Sequence, residues 1–228
     1  MTGLAREPAT AIGSRRLPLR AIIGLAAVAV GLVAFAALQW GASNASFAAA
    51  LWFEDDALTL PAAVQSRLGG PLSDQEVDRI AAIARAEVDK AFAGLRVRTV
   101  NGTDGFWRVA VVRSVPGQGP LPRSGETLPL GPLGGTGAVG VDVVAFNAIR
   151  YAPPGATRAI ILDAMGRGIG RVAVHELAHQ MLGVAVVHDE ADDQSYEYPT
   201  PARAAQYYGE LHWTVAWPVL QQKLGTRK

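Results

Sequence analysis

The sequence predicts an α/β (α+β) fold, a sandwich on a mixed sheet, behind an N-terminal apolar segment. Three observations predict it. A capped amphipathic helix is followed by alternating and short apolar runs and then by further helical patterns, all in one chain. No charged residue occurs from Ala21 to Phe53, whereas charges are spread through the rest. There is no cysteine, so neither disulfides nor thiolate metal sites hold the fold. With 228 residues, half of them hydrophobic, the chain can bury one sizeable core. A net charge of +1 gives no global basic field and excludes a nucleic-acid binder that works by bulk electrostatics.

Residues 1–20 read as a basic cytoplasmic N-terminus, with Arg6, Arg15, Arg16 and Arg20 against Glu7 alone. Ala21 to Leu38 is apolar or glycine throughout. At 1.5 Å per residue such a run covers about 27 Å as a helix, enough for a bilayer core. Arginines before it and Glu54, Asp55 and Asp56 after it place the N-terminus inside and the rest outside the cytoplasm. Residues 21–40 are therefore a transmembrane signal anchor or a signal peptide cut near Ser43–Ala45 or within Ala48–Ala50. The run is longer than a cleaved signal usually needs, which favours the anchor. Residues 41–56 read as a linker and 57–228 as the exported domain. Arginine outnumbers lysine 18 to 3, as in GC-rich bacterial genes, so the expected location is a bacterial cell envelope, anchored or secreted.

Within the domain, Leu58–Leu60 reads as a short strand ended by Pro61. Ser73-Asp74-Gln75-Glu76 is a capping box, and the apolar spacing behind it predicts a helix up to Gly94. Leu95–Val100 alternates as a strand. A turn at Asn101–Gly105 leads to a second β-rich run, Phe106–Val115, which suggests a hairpin. Residues 116–137, rich in Pro and Gly, read as a long surface loop. Ala138–Phe146 and Arg158–Leu162 look like buried strands. Pro201–Leu224 reads as a C-terminal helix bent at Pro218, its aromatic residues packed on the core.

The chemistry concentrates between 175 and 212, where all four histidines lie. His175-Glu176-Leu177-Ala178-His179 is an HExxH motif. On a helix, positions i and i+4 project the same way about 6 Å apart, so two imidazoles can grip one metal ion. Glu176 lies beside them, free to act on a water rather than to ligate. Val174, Leu177 and Met181 make an apolar opposite face that can fix the helix in the core. A third ligand must come from beyond the helix. Gly183 can stop the helix and turn the chain, which allows His188 to fold back towards the metal. Glu197 and Glu210 are rival third ligands, and Asp189 is a further candidate as ligand or supporting partner. The acidic run Asp189–Asp193 could hold a structural calcium ion, although a solvated loop suits its irregular spacing better.

The stretch from His175 to Thr200 resembles the metzincin clan of zinc metallopeptidases, whose pattern is HExxHxxGxxH followed by a methionine-bearing turn. Here Gly183 comes one place late and His188 three places late, and Ser195-Tyr196-Glu197-Tyr198-Pro199-Thr200 is similar to the matrixin-type turn with Glu197 in the methionine position. The resemblance implies a zincin-like sandwich with an N-terminal helix, an active-site helix and a C-terminal helix. It implies one catalytic Zn2+ on His175, His179 and His188, with Glu176 as general base for hydrolysis of peptide or protein substrates. Tyr198 would stand near the metal. The alternative from another functional class is a non-enzymatic, zinc-stabilised envelope module on a degenerate zincin fold.

Overall fold

A computed structural model describes residues 47–117, 122–183 and 188–227, which lie in one compact unit. The fold is mixed α/β, with a five-stranded mixed sheet and, among the described residues, six α-helices. The elements are β1 (Phe47–Phe53), α1 (Ala62–Leu68), α2 (Asp74–Ala91), β2 (Val97–Asn101), β3 (Trp107–Val112), β4 (Gly125–Pro129), β5 (Gly135–Gly140), α3 (Val141–Arg150), α4 (Arg158–Leu182), α5 (Ala205–Tyr208) and α6 (Ala216–Leu224). Strand order is β2-β1-β3-β5-β4; β4 alone is antiparallel to its neighbour.

β1 corrects the expected domain boundary. Phe47–Phe53 was expected within a linker, and its alanines within a cleavage window. It is instead an inner strand, paired in parallel with β2 on one side and β3 on the other, and Ala49, Ala50 and Leu51 are buried. The domain thus begins ten residues earlier than the charge pattern implies, because an apolar strand shows no charge boundary. A cut within Ala48–Ala50 would sever it. Leu58–Leu60, the expected first strand, is turn and coil. The apolar run Ala21–Leu38 lies outside the described residues; within them, no helix is long and apolar enough to cross a membrane.

The expected hairpin is also corrected. β2 and β3 are parallel to each other and β1 separates them. The link 102–106 crosses the face of β1, and a Cβ on Gly105 would lie 2.5 Å from the Cβ of Ala50. Only glycine fits there, so Asn101–Gly105 is a crossing rather than a hairpin turn.

The capping box forms as expected. Ser73 Oγ accepts from the Glu76 N–H, and the Ser73 N–H donates to Glu76 Oε2 at 2.9 Å. Arg158, at the start of α4, donates to both oxygens of Glu76 (2.6 and 2.9 Å) and to the carbonyls of Leu68 and Pro71. This tie pins the N-termini of α2 and α4 together and holds the Glu76 carboxyl at a pKa of about 2.

Two runs read as strands are helical. Ala138–Phe146 divides at Gly140: β5 ends there and α3 starts at Val141, whose buried Val141, Val144, Ala145 and Ala148 keep helical spacing. Arg158–Leu162 opens α4, capped by Thr157, whose hydroxyl accepts from the Ile160 N–H. Gly166, Gly168 and Gly170 disguise α4 in the sequence. A Cβ on Gly166 would press on Ile83 at 2.8 Å, and one on Gly170 would collide with the carbonyl of Ala84, so these glycines let α2 approach α4 closely. The supposed loop 116–137 contains β4, an edge strand beside α4. The expected helix Pro201–Leu224 is two separate pieces, α5 and α6. Pro218 lies in the first turn of α6, where a missing N–H costs nothing, so it does not bend a longer helix. Tyr207, Leu211 and Leu220 are buried and Trp213 and Trp217 pack against the core, as expected of that aromatic surface.

Candidate metal centre

α4 is 25 residues long and crosses the domain against β3, β5 and β4. Val174, Leu177 and Met181 are wholly buried and anchor it, which fixes the direction in which His175 and His179 project. Gln180 ties the same turn to the sheet: its Oε1 accepts from the Arg108 N–H and its Nε2 donates to the Arg108 carbonyl, both at 3.0 Å, as a neighbouring strand would. Gly183, with φ +88, ends the helix as expected.

Three imidazole nitrogens then converge. His179 Nε2 lies 3.0 Å from His175 Nε2 and 3.3 Å from His188 Nε2, and one ring nitrogen from each lies within 4.8 Å of the others. These are the only residues among those described that form such a group. His175 Nδ1 donates to the Tyr196 carbonyl at 3.0 Å, which leaves its Nε2 lone pair facing the other two. Burial lowers the pKa of His175, and burial with the neighbouring imidazoles lowers that of His179 to about 4. Both are neutral at pH 7. The Nε2 lone pair of His175 therefore faces the other two imidazoles, where one cation could be shared among the three rings.

The arrangement suits a metal ion. Ligand nitrogens about 2.05 Å from a tetrahedral zinc ion lie roughly 3.3 Å apart, close to the observed separations. Neutral imidazole suits zinc and its transition-metal neighbours better than the hard cations.

Glu176 is buried on the adjoining face. A Cβ on Gly125, the first residue of β4, would collide with its carboxylate, so glycine is needed where the edge strand passes. Burial, with the charge of Glu126 second, raises the Glu176 pKa to about 8. His175, Glu176 and Tyr198 line one cavity of about 100 Å³, with Ser124, Gly125 and Gln206 on its walls. Tyr198 is half-buried under the guanidinium of Arg203, which lies 4.4 Å above its ring.

The rival ligands go elsewhere. Glu197 is buried, and its Oε1 accepts from the N–H groups of Thr214 and Ala216, both at 2.9 Å, so it caps the start of α6. Glu210 lies in a loop rather than on a helix, exposed and paired with Lys90 at 2.5 Å. Asp189 and Asp192 accept from the backbone N–H groups of Ala191 and Gln194 in two local turns, and the acidic run forms no metal-holding group. His212, expected on a helix, is an exposed loop residue against Asp192 at 2.8 Å.

Sequence reasoning missed three supports of the site. The Tyr196 carbonyl has no sequence signal. Gly125 lay in a supposed loop. Arg171 stands one helical turn before His175, which could have marked it. It is 1% exposed, pairs with Glu87 at 2.9 Å and donates to the carbonyls of Ala205 and Gln206, which fixes the wall opposite β4. No protein-family model matches the chain, and no curated protein matches it.

Proposed function

We propose that the chain is a zinc-dependent endopeptidase whose domain lies outside the cytoplasm, anchored through residues 21–38 or exported. The convergence of His175, His179 and His188 beside the buried Glu176, at the end of the edge strand of the described sheet, carries the reading. The three histidines hold the metal, and the Tyr196 carbonyl keeps His175 in the tautomer that ligates. Zinc bound there supplies Lewis acidity, polarising a peptide carbonyl and making water more acidic.

The chain's own residues do the rest. Glu176 accepts a proton from the attacking water and delivers it to the leaving nitrogen. Among the described residues β4 pairs with β5 on one side only, so its outer N–H and C=O groups can bind an extended peptide beside Glu176. Tyr198, on the cavity wall, is placed to hydrogen-bond that peptide.

Zinc stoichiometry and cleavage of a quenched peptide library test this together. The parent is expected to hold about one zinc ion per chain and to cleave. Glu176→Gln is expected to keep the metal and lose about 10²–10⁴-fold in rate. A Glu176→Gln protein as fast as the parent would refute the mechanism. A zinc-loaded parent that cleaves nothing would mean the metal serves only to stabilise an envelope module.

A further inference from the structure

One end of the sheet has an apolar and basic character that the proposed catalysis does not use. β1, β3 and β5 all start there: the Phe106 N–H donates to the Ala48 carbonyl at 2.8 Å, and the Gly135 N–H to the Phe106 carbonyl at 3.2 Å. Phe47, Phe106 and Trp107 cluster with ring centres 5.2 to 5.8 Å apart. β4 finishes at the same end and passes into the tight turn 130–134, closed by the Leu130 N–H on the Gly134 carbonyl. Leu133 is 76% exposed and Leu130 40%. At the neighbouring corner, Val97 is level with Phe47, and exposed Arg96, Arg98 and Arg227 surround it. The stretches that make this end (47–51, 95–100, 106–108 and 128–135) contain no acidic residue of their own; the acidic neighbours are Asp104, in the link before Phe106, and Asp89, hydrogen-bonded to Thr99.

We infer that this end of the sheet rests on an anionic bilayer surface, with Leu130 and Leu133 inserted among the headgroups and the arginines facing lipid phosphates. The inference rests on the reading of Ala21–Leu38 as a membrane segment. Only residues 39–46 separate that run from Phe47, and they include Trp40, a residue type favoured at headgroup level. Eight residues reach at most about 28 Å, so the start of β1 cannot lie far from lipid. Exposed leucines beside arginines match the interface chemically: apolar side chains enter the acyl boundary while guanidinium groups stay at the phosphates.

The consequence is a substrate class. β4 runs from Gly125, against Glu176, to Pro129 beside the leucine turn, four strand steps or about 13 Å. A catalytic carboxylate so close to lipid reaches the juxtamembrane segments of membrane-anchored proteins.

The lack of native cysteine allows a direct test with the full chain in vesicles containing phosphatidylglycerol. A fluorophore is attached at Leu133→Cys or, as a control, at Ala159→Cys in the first turn of α4, some 30 Å along the helix from Gln180. A headgroup-depth nitroxide lipid is the quencher. Quenching at 133 and not at 159, relieved by Leu130→Asp, is expected. Equal signals at both positions from vesicle-bound protein would overturn the docking while leaving the anchor intact. Protein that does not float with vesicles and is unquenched at 133 would overturn both. Quenching at 133 after residues 1–45 are removed by a protease site inserted before Ser46 would support docking without the anchor. Zinc content and cleavage of a soluble peptide report on the peptidase reading separately, and Leu130→Asp leaves both unchanged.

Discussion

Glu197 stands where the resemblance leads one to expect methionine beneath a metal, and its side chain has another task. It satisfies two N–H groups at the start of α6, and the turn that carries it also presents the Tyr196 carbonyl to His175. Arg203 secures the same turn, donating to the Ser195 carbonyl at 2.8 Å and covering Tyr198. The floor of the site is thus held by hydrogen bonds to buried polar groups where a thioether would only pack. Glu197→Met, which would restore the expected residue, leaves the N–H groups of Thr214 and Ala216 without an acceptor. It is expected to destabilise the fold by about 2–4 kcal/mol, measured by urea unfolding of the metal-free protein. A neutral or stabilising effect would show that the capping bonds contribute little.

At the scale of elements, the tie between α2 and α4 makes stability depend on pH. Arg158, followed by the Ser73 N–H, lowers the folded pKa of Glu76 to about 2, below the value of about 4.3 for an unfolded glutamate. The folded state therefore binds fewer protons in that window. The stabilisation is complete above the unfolded value and disappears as pH falls through about 2. The pair is partly exposed, so the effect is modest and screened by salt. Glu76→Gln is expected to lower Tm at pH 7 and to match the parent near pH 2, followed by thermal unfolding across that range. A Tm difference that persists undiminished at pH 2 would count against the ion pair. The capping box was legible because its residues, Ser73 and Glu76, are three apart in sequence and interact locally. Arg158, 82 residues away, was not. The glycines of α4 mislead for a related reason: they lower helix propensity, and what they permit, the close approach of α2, is a contact between distant segments.

Across the whole molecule, β1 decides the limits of the folding unit. It lies between β2 and β3; without it β2 has no strand to pair with and β3 keeps only β5. A chain beginning at Ser46 is expected to unfold cooperatively on heating, whereas one beginning at Ala57, the boundary suggested by charge, is expected to lack that transition. Circular dichroism against temperature checks both, and a cooperative 57–228 fragment would remove β1 from the essential core. β1 was hidden because seven small or apolar residues in a row suit a linker, a cleavage site or a buried parallel strand equally well. The order β2-β1-β3 was hidden because two β-rich runs joined by Asn-Gly usually pair with each other, and here a third strand inserts between them.

The sequence alone determined the spacing of His175, Glu176 and His179 on one helix, the capped start of α2 and the stop at Gly183, because each depends on residues within a turn or two of one another. Only the tertiary structure decided that His188 joins His175 and His179 in one cluster while Glu197 and Glu210 turn away, that β4 lies against Glu176, and that the leucine turn shares one end of the sheet with Phe47. These are meetings of distant segments, set by how β1, β4 and α4 pack, and no local pattern encodes them.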